Sequence, residues 1–162
     1  METDTTTQAI LYYLQHIAVL IGRQSDQVLQ EQLGIGLSQF RILQTLQTNP
    51  SVQQKQIASL LGQTEASISR QVKLMQAKGM ITIQVNSQNR REHLTVLLPK
   101  GERLLEVGAQ LISQYHEPAL AGLKPKEREA LLSLLVRVHA DMCTVDGLEG
   151  LLHVGDGLAR ET

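Results

Sequence analysis

The stretch from Gln63 to His93 (QTEASISRQVKLMQAKGMITIQVNSQNRREH) constrains this chain more than any other. Its first half has helical spacing, its second half alternates, and a glycine separates them, so it cannot be one element. Unrolled at about 100° per residue, the helical part puts Ile68, Val72 and Met75 on one side. Ala66, Ser69, Arg70, Lys73 and Ala77 fall opposite, with Gln63 where the helix begins and Thr64 as its N-cap. Gly79 stops the helix. Ile81, Ile83 and Val85 then alternate with Thr82 and Gln84 as a half-buried strand. Asn86-Ser87-Gln88-Asn89 is turn chemistry, Arg90 and Arg91 follow at the tip, and Leu94, Val96 and Leu98 form a return strand. His93 stands beside the tip. A helix with small residues and cations outward suits close approach to a major groove. Arginines on a hairpin tip suit the neighbouring minor groove.

Charge supports this reading because of where it sits. The whole chain carries a net charge of −1, which argues against a general polyanion binder. Residues 36–100, however, hold eight lysines and arginines against two acids, while both flanks are net acidic. A basic middle between acidic ends marks a DNA-facing segment flanked by parts that face elsewhere. Aromatic residues are only 2% of the chain, and Phe40 is the sole phenylalanine. The core must therefore be aliphatic, and stacking platforms for single-stranded nucleic acid or RNA are disfavoured.

The remaining elements read as helices. A first helix runs from about Ala9 to Leu29 after a frayed polar start. It carries Ile10, Leu14, Ile17, Leu20 and Ile21 at helical spacing, and Leu33-Gly34-Ile35-Gly36 forms its end and turn. A second spans Leu37 to Gln47, capped by Ser38, with Phe40, Leu43 and Leu46 inward and Asn49-Pro50 ending it. A third covers Val52 to Leu61 with Ile57, Leu60 and Leu61 inward, closed by Gly62 as a left-handed cap. Two helices joined at a glycine are the helix-turn-helix signal. Pro99 opens a helix bearing Leu104, Leu105, Gly108, Leu111, Ile112 and Tyr115. Pro118 to Pro125 is a break, and Lys126 to about Met142 is the last strong helix, with Ala130, Leu131, Leu134, Leu135 and Val138 inward. The stretch 144–162 is a tail or short extra helix. The expected fold is mainly α with a small β wing.

The order and wording of these segments resemble the MarR family of bacterial transcription regulators. The resemblance rests on GLSQFRIL, QKQIASLLG, ISRQVKLMQAKGMI, NSQNRREHLTVLLPKG and LKPKEREALLSLLVRV, and it covers about residues 8–142. It implies a winged helix-turn-helix lobe, residues 36–100, and a helical dimerisation lobe, residues 1–35 and 101–143. It also implies a homodimer on a palindromic operator of double-stranded DNA, in many members a repressor released by a small-molecule effector. Three positions depart from the family pattern. Asn89 stands where an Asp usually precedes the key wing arginine, Leu98 where a Thr starts the fifth helix, and Lys124 where a Ser or Thr caps the sixth.

The expected function is sequence-specific DNA binding by a ligand-responsive regulator, in the cytoplasm and away from membranes. The DNA-contact candidates are Gln63, Thr64, Ser67, Ser69, Arg70, Lys73, Arg90 and Arg91. Tyr13 and His16 are candidates for an effector cleft between the lobes, set against the commoner role of such residues in packing. An enzyme is not expected, because no phosphate-cradling loop, nucleophile elbow or compact His, Cys and carboxylate cluster is present. No cofactor or metal is expected either. His139 and Cys143 lie one helical turn apart, with His116 or Asp141 as possible helpers, but two ligands at that spacing are weak evidence for a metal. Cys143 sits near a helix C-terminus, where the dipole does not favour thiolate, so an incidental thiol outweighs a redox sensor. As the only cysteine it can form no intrachain disulfide, and no charged, apolar leader or run of about 18 apolar residues occurs. The alternative function is a winged helix that contacts protein and does not bind DNA; it would lack the cationic outer face.

Overall fold

The computed structural model describes residues 4–50, 52–87, 89 and 93–145. The element order is α1 (Thr5–Leu33), α2 (Leu37–Thr48), β1 (Val52–Gln53), α3 (Gln54–Leu61), α4 (Glu65–Ala77), β2 (Ile81–Val85), β3 (His93–Leu97), α5 (Pro99–Leu120) and α6 (Pro125–Val145). The three strands form one antiparallel sheet in the order β1-β3-β2.

The core sits where α2, α3 and α4 close against the sheet and the middle of α5. Phe40, Ile42, Leu43 and Leu46 come from α2, Ile57 and Ala58 from α3, Ile68, Val72 and Met75 from α4. Leu29 of α1, Ile81 of β2 and Leu105 of α5 seal its edges. The stripe Ile68-Val72-Met75 is fully buried, as its spacing predicts. Gly62 and Gly79 bracket α4 in the left-handed region, at φ of 59° and 69°. A side chain there would strain the backbone, so Gly62 ends α3 and Gly79 ends α4, while Thr64 caps the start of α4.

Several sequence expectations are corrected. Asp4 caps α1: its carboxylate accepts from Thr6 N–H at 3.0 Å and from the Thr7 hydroxyl at 2.9 Å, so the helix begins at Thr5. The Thr7 hydroxyl and the Thr6 N–H hold this carboxyl below its ordinary pKa. Ser38 does not cap α2. Instead Leu37 N–H donates to Asp26 Oδ1 at 2.7 Å, a cap delivered from α1 across the Gly36 turn. Replacing Asp26 by Ala should cost about 0.5–2 kcal/mol, the usual loss for an N-cap acceptor. A urea midpoint unchanged in Asp26→Ala would contradict that role.

Val52 and Gln53 are not helical. They pair with Thr95 and Leu94, and α3 starts one residue later with a reciprocal Gln53–Gln56 capping box. In β3 the inward residues are Thr95 and Leu97, opposite Ile83 and Ile81. Cross-strand partners share a face, so the register with β2 overrides the apolar alternation. Thr95 is 0% exposed, and its hydroxyl has no hydrogen-bond partner. Thr95→Val should therefore leave stability unchanged or raise it by about 1 kcal/mol; a clear loss in the unfolding midpoint would show that the hydroxyl is satisfied.

Leu98 precedes α5 without a side-chain cap, and Pro99, which lacks an N–H, opens the helix. Pro118 lies inside α5, which runs only two residues past it. Lys124 leaves α6 without a hydroxyl cap, but Glu127 reaches back and accepts from Lys124 N–H at 2.7 Å. The stripe expected inward on α6 is exposed on a single chain: Leu131, Leu134, Leu135 and Val138 all face out. The same holds for Ile10, Ile17 and Ile21 of α1 and for Tyr115 of α5. The tail from 146 to 162 lies outside the described residues.

Candidate nucleic-acid interface

Helix α4 presents the site. Thr64 Oγ1 accepts from Ser67 N–H at 3.2 Å, so this hydroxyl is committed to capping. Glu65 in the first turn complements the helix dipole. With Ile68, Val72 and Met75 locked in the core, Arg70 and Lys73 must point away from it, and both are exposed, as are Ala66 and Ala77. Ser69 is half-buried beside them. Among the described residues neither Arg70 nor Lys73 is tied up in an ion pair, the one such pair being Arg128–Glu117 at 2.7 Å. The outer face thus offers two uncommitted cations between small side chains.

Not every cation of the basic middle is free. Lys78 Nζ donates to the Gly34 carbonyl at 3.4 Å, and Lys100 Nζ to the Lys78 carbonyl at 2.7 Å. These lysines tie the C-terminus of α4 to the end of α1 and the start of α5. No local signal marks this use, because the acceptors are backbone carbonyls 44 and 22 residues away.

The wing is the β2–β3 hairpin, paired from Ile81–Leu97 out to Val85–His93. His93 is exposed at its outer end, as is Asn89. Arg90 and Arg91 lie outside the described residues.

The other candidates are dispersed. Tyr13 and His16 are exposed on α1, where Tyr12 packs edge-on against Tyr13 and tilted over His16. They do not line the groove of about 870 Å³ that opens between the end of α2 (Leu46, Pro50), β3 (Val96) and the outer side of α5 (Glu102, Arg103, Glu106). His116 bonds Ser25 Oγ of α1 at 3.1 Å, while Cys143 Sγ lies 3.5 Å from His139 Nε2. Among the described residues no group of three or more His, Cys, Asp or Glu side chains is placed to hold a metal.

A core of three helices, α2, α3 and α4, closed by a short β1 strand and a two-stranded hairpin, with a cationic outer face on α4, defines a winged helix-turn-helix. Residues 33–92 match the sequence profile of the MarR family. Over those residues the chain resembles the MarR family, and its fold is that of a winged helix-turn-helix. The chain is 23% identical over 137 residues to YdgJ of Bacillus subtilis, an uncharacterised HTH-type transcriptional regulator, covering 85% of this chain and 81% of that one. A MarR family protein from Bacillus stearothermophilus has the same fold, with a TM-score of 0.76 at 18% identity, over 88% of this chain and 99% of the other. A Staphylococcus aureus MepR variant bound to an oligodeoxyribonucleotide is also similar, with a TM-score of 0.55 at 22% identity, over 82% and 97% of the two chains.

Proposed function

We propose that this chain is a sequence-specific DNA-binding repressor that works as a homodimer on a palindromic operator and is released by a small-molecule effector. The observation that carries the DNA reading is the outer face of α4: Arg70 and Lys73 exposed and uncommitted, flanked by residues small enough for the helix to enter a major groove. The oligonucleotide bound by the similar MepR variant supports it. In this reading residues 36–100 form the DNA-binding lobe. Ser69 and Arg70 read base edges, Lys73 grips phosphate, and Thr64 and Ser67 hold the start of the helix near the backbone. Arg90 enters the minor groove with Arg91 on phosphate.

Residues 1–35 and 101–143 form the dimerisation lobe. Its support is the apolar surface that α1, α5 and α6 leave uncovered on one chain, since contiguous exposed apolar surface marks interaction sites. Two-fold symmetry would then set the two recognition helices about 34 Å apart, one turn of DNA. The groove between α2, β3 and α5 supports effector control, because it lies where the DNA lobe meets the helix that leaves it. Tyr13 and His16 would contribute to an effector cleft completed by the second copy. No described helix is long and apolar enough to cross a membrane, and the proposed site of action is the cytoplasm.

Two substitutions separate the roles on α4. Arg70→Ala should cost about 1–3 kcal/mol of operator affinity and relax base preference at one position. Lys73→Ala should weaken all sequences alike and lower the slope of log affinity against log salt by about 1. Wild-type affinity and slope in both variants would remove α4 from the interface.

A further inference from the structure

The amide of Gln63, where base contact is expected from sequence, is occupied inside the protein. Its Nε2 donates to Ser38 Oγ at 3.3 Å, and Ser67 Oγ donates to its Oε1 at 3.3 Å. Ser38 Oγ also lies 3.4 Å from the same Oε1. Ser38 belongs to the first turn of α2 and Ser67 to the first turn of α4, so Gln63 bridges two helices that no local sequence signal connects. One turn further along α4 there is a second bridge. Gln39 Nε2 donates to Gln71 Oε1 at 3.1 Å, and Gln39 is only 8% exposed.

Attachment at Ser67, through Gln63, and at Gln71, four residues or roughly 6 Å along the axis, restrains both the tilt and the roll of the helix, whereas one attachment would leave a pivot. The helix that supplies them is itself anchored: Asp26 of α1 caps α2, and Phe40 of α2 lies against α5 at Gly108. The roll of α4 decides which side chains face outward, because Ser69, Arg70 and Lys73 are placed by rotation about the helix axis.

We propose that Gln63 is a positioning residue and not a base reader. With Ser38, Gln39 and Gln71 it forms a two-point polar clasp through which α2 sets the roll of the recognition helix, leaving base discrimination to Ser69 and Arg70. The proposal rests on the DNA-binding reading for its consequence, but the clasp itself exists without DNA. It also explains why Ser38 does not cap α2: its hydroxyl is engaged by Gln63.

The test is a double-mutant cycle on the full chain with Ser38→Ala, Gln63→Ala and the pair, plus Gln63→Glu, whose carboxylate can still accept from both serine hydroxyls. Two readouts are taken. Without DNA, amide hydrogen exchange across Glu65–Val72 should speed up in Ser38→Ala and in Gln63→Ala, no further in the pair, and stay near wild type in Gln63→Glu. With operator, each Ala variant should bind about three- to tenfold more weakly, the loss expected for one or two hydrogen bonds. The pair should bind no more weakly than the singles, and the base-preference profile should stay unchanged at every position. The proposal is overturned if Ser38→Ala leaves exchange at wild-type rates, or if Gln63→Ala flattens preference at a single operator position while Ser38→Ala binds normally. Coupled exchange in a protein that ignores duplex DNA would uphold the clasp and overturn the DNA reading instead, so the two failures are distinguishable.

Discussion

Phe40→Ala should destabilise the protein by about 3–5 kcal/mol, the range for removing a buried aromatic side chain. Phe40 is 1% exposed and is the largest side chain in the core. Its ring lies so close to α5 that a Cβ at Gly108 would come within 2.6 Å of Phe40 Cε2 and 3.1 Å of Leu29 Cδ2. The Phe40 ring of α2 and Leu29 of α1 therefore both approach α5 at the same glycine. Loss of the ring opens a cavity at the joint between α1, α2 and α5, where neither neighbouring backbone can collapse far. A domain of ordinary stability keeps about 5–15 kcal/mol in total, so the variant should be partly unfolded at physiological temperature. Equilibrium urea unfolding at fixed protomer concentration measures this, since dimer formation would otherwise shift the midpoint. A loss below about 1 kcal/mol would mean that the joint repacks.

Leu131→Glu with Leu134→Glu should have the largest effect on function. Leu134 is 56% exposed on a single chain, and Leu131, Leu135 and Val138 extend the same apolar stripe along α6. If a second copy covers that stripe, two buried carboxylates would separate the protomers, since isolated charges are not tolerated in an apolar interface. Sedimentation equilibrium should then report a monomer. A palindrome would be engaged by one recognition helix at a time, and the lost avidity should weaken operator binding by about 10²–10⁴-fold. Isolated α4 and its wing would be unchanged, so non-specific DNA binding should fall much less. Wild-type mass and wild-type affinity would contradict the proposed dimer lobe, because two carboxylates on a solvated face disturb nothing.

How much of this was legible in the sequence depends on how local each determinant is. The ends of α4 were legible because Thr64, Gly62 and Gly79 act on their own backbone. The buried stripe was legible because Ile68, Val72 and Met75 repeat with the helix period. β1 was not, since Val52 and Gln53 become a strand only by pairing with β3 some forty residues on. The facing of β3 was not legible for a related reason. Leu94 and Val96 are the apolar residues, yet register with Ile83 turns Thr95 into the core. On α6, periodicity identified an apolar face and could not say that the rest of the chain leaves it uncovered.

The candidate site divides along the same line. Arg70 and Lys73 were found by unrolling one helix, and the structure places both outward. The commitment of Gln63 to Ser38, and of Lys78 and Lys100 to carbonyls, arises from contacts spanning 22 to 44 residues. Residue type alone suggested DNA contact for Gln63, whose actual partners are other parts of the protein. Asp26 shows the converse: an exposed acid on α1 with no motif around it supplies the cap that α2 lacks.

Recognition of a specific duplex by this chain is measured most directly by titration. The full-length protein is added to a labelled duplex containing the region upstream of its own coding sequence, and to a shuffled duplex of equal length, at several salt concentrations. Binding should be at least about 10³-fold tighter to the upstream duplex at physiological salt. Log affinity should fall linearly with log salt, consistent with several phosphate contacts per dimer. Equal affinity for the two duplexes, or no binding to either across the series, would contradict specific recognition.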